Sequence, residues 1–123
     1  SLPQRLGVYR RIAAIRNEED MSDVLDELID RFGEPPAAVK GLIDVAMLRN
    51  QAAALHITEV VQKEDTMLLY LSRLDTEQAA KLAGALKGRV LLSAGQKPYL
   101  SVRILKGQKP LETLREALTA MAS

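Results

Sequence analysis

Between residues 17 and 34, eight carboxylates (Glu18, Glu19, Asp20, Asp23, Asp26, Glu27, Asp30 and Glu34) stand against a single base, Arg31, a segment charge of −7. Position matters more than count. At about 100° per residue on a helix, Asp23, Asp26, Glu27 and Asp30 project to one side, opposite an apolar stripe of Met21, Val24, Leu25, Leu28, Ile29 and Phe32. One side packs and the other presents carboxylates. Such a row can be a plain solvated face, helped by acidic residues near the positive end of the helix dipole. It can also be a ridge for a basic partner. Repulsion among neighbouring carboxylates is tolerable in water and is relieved by opposite charge, and arginine's planar fork engages a carboxylate bidentately.

Other chemistries lack their parts. The chain has no cysteine and one histidine, His56, which rules out thiol nucleophiles, cysteine-ligated metals and an imidazole cluster. His56 falls at a helix end, with no serine nucleophile or carboxylate beside it to make a triad. The seven glycines are scattered and form no phosphate-cradling loop. The chain therefore reads as non-catalytic, with no cofactor and no metal. A second charged feature is basic: Lys87, Arg89, Lys97, Arg103, Lys106 and Lys109 occupy a stretch without an acidic residue. It could attract nucleic-acid phosphate, but Tyr99 is the only aromatic there, so direct nucleic-acid binding is the alternative rather than the leading reading.

The elements that must position these residues follow from periodicity. A first helix is expected over about 3–15, with Leu6, Tyr9, Ile12 and Ala13 inward. Asn17 offers an N-cap oxygen to the acidic helix, Gly33 stops it, and Pro36 opens a third helix to about Leu55 with Val39, Leu42, Ile43, Ala46, Met47 and Ala53 buried. Strands over 59–63 and 67–71 then flank a Glu64-Asp65-Thr66 turn. Asp75 and Gln78 suggest a capping box for a fourth helix that closes at Gly88. Two more strands, over 89–93 and 99–105, precede a helix from Pro110 with Leu111, Leu114, Leu118 and Met121 inward. The fold class is α+β: an N-terminal three-helix lobe (1–56), then two ββα units (57–123) sharing a largely antiparallel sheet, within one domain of 123 residues. At that length no disulfide or metal staple is needed, because roughly two-thirds of the unfolded surface is removed from water. No apolar run reaches the roughly 20 residues of a membrane span. A cytoplasmic chain is expected, and the opening Ser1 suggests a domain cut from a longer protein.

Three stretches carry a resemblance: Arg5-Leu6-x-x-Tyr9-x-Arg11-Ile12-Ala13, then Glu27-Leu28-Ile29-Asp30-Arg31-Phe32-Gly33 with Pro35-Pro36, then Leu48-Arg49. Together they resemble the C-terminal domain of bacterial transcription-repair coupling factors, the Mfd family, strongly to about residue 57 and by element order beyond it. His56 stands where that family has the glycine of an L-G-I sequence. The resemblance implies a regulatory module at the end of a large ATP-driven DNA translocase that displaces stalled RNA polymerase and recruits excision-repair proteins. It implies that this module folds back on an N-terminal UvrB-like module and covers the surface that binds UvrA. The acidic pair of the family's E-L-I-D segment corresponds to Glu27 and Asp30, with Asp23 and Asp26 beside them as further partner contacts. A cap that merely stabilises the motor is a further possibility.

Overall fold

A computed structural model describes residues 2–123, in the order α1 (Leu2–Ala13), α2 (Glu18–Phe32), α3 (Ala37–Ala54), β1 (Ile57–Lys63), β2 (Thr66–Leu71), α4 (Thr76–Ala85), β3 (Val90–Ser93), β4 (Tyr99–Arg103) and α5 (Pro110–Ala122). The class is α+β, as expected, with five helices and one antiparallel sheet of order β1-β2-β4-β3. The chain divides into two compact units, one ending at Asn50 and the other beginning at Gln51, so the boundary falls inside α3.

The first unit packs Ile12 and Ile15 against Val24, Leu28, Ile43 and Ala46. Two side-chain bonds pin the α1 exit to α3: Asn50 Nδ2 donates to the Ile15 carbonyl, and the Arg49 guanidinium donates to that of Ala13 at 3.4 Å. Only a narrow strip of α2 is buried, Val24 and Leu28, one turn apart. Ile29 and Phe32, expected in the core, are exposed, and so are Leu6, Tyr9 and Leu42. Three short helices enclose too little volume to cover a stripe that wide, so its outer edge stays in water. Along α3 and into its exit the buried set changes: Ile43 and Ala46 in the first half, then Leu48 and Ala52, followed by Leu55 just past the helix end. At 100° per residue these sets lie on nearly opposite faces. A single stripe carried through to Ala53 therefore names the wrong alanine, since Ala53 is exposed.

In the second unit Met67, Leu69, Leu71, Leu100 and Val102 alternate with half-buried neighbours along β2 and β4, the period-2 signature of a sheet covered on one face. α5 packs against β2 and β4, and α4 against β3, adding Leu82, Leu86, Leu114, Leu118 and Met121 to the core. Leu111, expected inward, is exposed at the first turn of α5, where Thr113 and Leu114 face the core instead.

Caps form where the sequence offers them. Asn17 Oδ1 accepts the Asp20 N–H at 2.8 Å, and Asp75 Oδ1 accepts those of Glu77 and Gln78 at 3.0 and 3.2 Å. Gly33 closes α2 at φ 78°, its N–H reaching the Ile29 carbonyl. His56, at the α3 exit, also has a positive φ, 67°. A β-carbon there costs on the order of 1 kcal/mol relative to glycine, although histidine is among the side chains that tolerate it best. Its carbonyl accepts the Ser72 N–H at 2.9 Å, and its Nε2 accepts from Arg73 at 3.1 Å. The arginine contact is exposed and worth little, so His56→Gly is expected to stabilise the chain by about 1 kcal/mol in urea denaturation. Asn17→Ala is expected to do the reverse, lowering stability by about 1 kcal/mol at unchanged m-value, because the Asp20 N–H loses its acceptor.

Candidate docking surface on the second helix

Helix α2 is anchored through Val24 and Leu28, which fixes where its charged positions point. The first-turn acids serve the helix itself: besides the Asn17 cap, Asp20 accepts the Arg16 N–H at 3.0 Å. Asp23, Asp26 and Asp30 differ from them. All three are exposed, and among the described residues none makes a hydrogen bond or ion pair. Their spacing of three and then four residues puts them in one row along the helix.

Glu27 does not stand in that row. It lies on the flank toward α1, its side chain 35% exposed, in an ion pair with Arg11 and a second with Arg31 at 3.5 Å. The expectation that all four carboxylates project freely together therefore fails for Glu27. Only about 60° of helix rotation separates its position from that of Val24, close enough for the arginines of α1 and of the next turn to reach it. The structure thus brings Asp23, Asp26 and Asp30 together as an open ridge and assigns Glu27 an internal partner.

On the side of α2 away from the ridge lies a feature that periodicity did not single out. Val8 and Tyr9 of α1, Leu28 and Phe32 of α2, and Pro35 and Val39 line a cavity of about 270 Å³. Phe32 is 54% exposed at its rim, with the Arg31 guanidinium 5.4 Å from the ring centroid. The stripe rule sent Phe32 to the core. The signal that could have placed it outside is its position immediately before the helix-ending Gly33, at the edge of the buried strip.

The basic stretch is also rearranged. Lys87, Lys97, Arg103, Lys106 and Lys109 are exposed, but Arg89 is withdrawn: its side chain is 9% exposed and pairs with Glu116 of α5 at 3.0 Å. It also donates to the Arg103 carbonyl and to Gln108 Oε1. Among the described residues no group of three His, Asp or Glu side chains could hold a metal ion, and no helix is long and apolar enough to cross a membrane.

Residues 1–82 match the family model described as the TRCF domain. The chain is similar to the transcription-repair-coupling factor of Escherichia coli (strain K12), 35% identical over 83 residues, which is 68% of this chain and 7% of that protein. It is also similar to that of Staphylococcus epidermidis, 27% identical over 116 residues, 90% of this chain and 10% of the relative. In fold it is similar to the crystal structure of the C-terminal domain of transcription-repair coupling factor, with a TM-score of 0.79 at 18% identity, covering 98% of this chain and 80% of that one. The chain therefore spans a tenth or less of the length of these relatives.

Proposed function

The chain belongs to the transcription-repair-coupling-factor family of transcription-coupled DNA repair, and from that premise we propose that it is a non-catalytic, autoinhibitory domain of a larger translocase. In this reading it docks on the UvrB-like module of the same protein and masks the surface that UvrA binds. The observation that carries it is the row of three exposed carboxylates, Asp23, Asp26 and Asp30, unpartnered among the described residues, on a helix whose opposite side is buried. Amphipathicity alone puts charged positions on that side; what favours docking is that all three are acids without a partner among the described residues. An acidic row held in one register is what an array of arginines on another module can recognise.

Glu27 enters this reading in a different way from the three aspartates. Because Arg11 and Arg31 already neutralise it, an arginine of the partner has to compete for it or share it. Glu27 can then contribute through a network while Asp30, Asp26 and Asp23 make the direct contacts. A few partly exposed pairs together supply on the order of 1–3 kcal/mol, enough to bias an equilibrium between masked and open forms and still reversible when polymerase or another partner competes.

The direct test is binding of this chain to the separately produced UvrB-like module by calorimetry. Measurable affinity at 50 mM salt, a marked fall at 500 mM, and loss in the Asp26→Arg, Asp30→Arg double variant are expected. Affinity that is unchanged by charge reversal would reject the ridge as the docking surface.

A further inference from the structure

The second unit carries a sheet face that α4 and α5 do not cover. Met67, Leu69, Leu100 and Val102 point toward α4 and α5, so by strand alternation Thr66, Leu68, Tyr70, Tyr99, Ser101 and Arg103 share the opposite face. The register arranges that face in rows. Tyr70 pairs directly with Tyr99, Leu68 with Ser101, and Thr66 with Arg103, across the two central strands. On β3, Leu91 extends the middle row beside Ser101 and is 75% exposed, well above the other apolar side chains left in water.

We propose that this sheet face binds single-stranded nucleic acid, with Tyr70 and Tyr99 as the base-stacking platform and Arg103 as a phosphate contact. Three observations support the assignment. First, the two tyrosine rings lie side by side at 5.3 Å between centroids, tilted by 49°, and both residues are half-buried. An aromatic pair on the central strands of a four-stranded antiparallel sheet offers π-faces to consecutive bases without selecting among them. Only Tyr99 lies in the basic stretch, and the β2–β4 pairing supplies the second ring from a distant part of the chain.

Second, on the face that carries the tyrosines, strands β2, β4 and β3 present Arg103 and no acid. Residues 66–123 hold nine basic and four acidic side chains. All four acids, Asp75, Glu77, Glu112 and Glu116, belong to α4, α5 or the α4 cap, on the covered side. Strands β2, β4 and β3 carry none. Of the acids on β1 and the turn after it, Glu59 pairs with Tyr70 and so shares its face, which steers a phosphate backbone away from β1 and toward Tyr99, β4 and β3.

Third, the spacing suits the ligand. Two residues along a strand advance about 7 Å, so Tyr99, Ser101 and Arg103 step along β4 at close to the span of one nucleotide. Lys97, exposed two residues before Tyr99, extends the cationic track at the other end. An apolar peptide would use Leu91 and Leu68 and would leave Arg103 and Lys97 without a counterpart. A phosphate chain accounts for both the rings and the charges.

The test is fluorescence anisotropy of the 123-residue chain with labelled 15-mers of oligo(dT), oligo(rU) and duplex DNA at 50 mM salt. The chain has no tryptophan and its emission comes from Tyr9, Tyr70 and Tyr99, so it is read in a Tyr9→Phe background, where quenching reports stacking on the sheet pair. Either single strand binding more tightly than duplex, with affinity falling as salt rises and emission quenched, supports the proposal. The ratio of oligo(dT) to oligo(rU) affinity then tells whether DNA or RNA is preferred. Tyr99→Leu is expected to weaken binding by about tenfold and Tyr99→Phe to restore it, with Arg103→Ala reducing the salt slope by about one. Circular dichroism melts identify any variant that fails to fold, and the quench in the Tyr9→Phe chain stands independently of the sheet variants. No single-strand binding, equal affinity for duplex, or binding indifferent to Tyr99→Leu would overturn it.

Discussion

Reversing charge at Asp26 and Asp30 together is expected to raise the affinity of the full-length protein for UvrA by about tenfold while leaving the melting of this domain unchanged. The two sites are exposed and make no hydrogen bond or ion pair among the described residues, so arginine there breaks no internal pair. In the proposed masked form the new arginines would face the basic residues of the UvrB-like module, replacing attraction by repulsion. Two exposed pairs lost and two repulsions gained amount to about 1.4 kcal/mol, which is one decade in the masked-to-open ratio. UvrA sees only the open form, so its apparent affinity rises until the open form predominates. Unchanged UvrA affinity in a properly folded double variant would remove the autoinhibitory reading. A companion variant mixes docking with folding: Glu27→Arg places a third cation beside Arg11 and Arg31. It is expected to destabilise the first unit by about 1 kcal/mol through repulsion and lost pairing, whatever it does to UvrA. The aspartate pair is therefore the cleaner probe, and a gain in UvrA binding by Glu27→Arg alone does not distinguish docking from unfolding.

How much of this was legible beforehand depends on how locally each feature is encoded. Asn17, Gly33, Pro36 and Asp75 each act within a few residues, and the caps and helix limits they mark are observed. The alternation in β2 and β4 is likewise local, and the α+β order follows from it. The misses have non-local causes. Phe32 and Ile29 carry the right period for a core but belong to a unit too thin to cover them. Ala52 replaces Ala53 because α3 changes its buried face midway, a change that periodicity averages away. Of the four carboxylates expected to act alike, Glu27 departs because Arg11, on a different helix, reaches it. The Tyr70–Tyr99 pair needs the β2–β4 register, which joins residues about thirty apart and has no local signal.

Arg89 shows the same dependence on distant residues and carries the largest expected effect on stability. In sequence it is one more base in a cationic run. In the fold its guanidinium donates to Glu116 Oε1 at 3.0 Å, to the Arg103 carbonyl at 3.1 Å and to Gln108 Oε1 at 3.0 Å. Gln108 Oε1 also accepts from the Thr113 hydroxyl at 2.6 Å, and Gln108 Nε2 donates to Glu116. Thr113 is fully buried, so this network joins β4, the Gln108 loop and α5 through groups that cannot all turn to water. Arg89→Ala removes three donors at once and leaves their acceptors short of partners, a cost of about 2–3 kcal/mol. The figure stays below that for a fully buried pair because Glu116 is 41% exposed and can be rehydrated. Lysine cannot substitute, since a single ammonium does not span three acceptors set for a planar fork, so Arg89→Lys is expected to recover less than half of the loss. Glu116→Gln keeps an acceptor for both Arg89 and Gln108 and should cost about 1 kcal/mol. Urea denaturation of the three variants checks the order. Equal stability of Arg89→Ala and the unaltered chain would mean that Arg89 is an ordinary surface base, and its withdrawal from the cationic face would lose its physical basis.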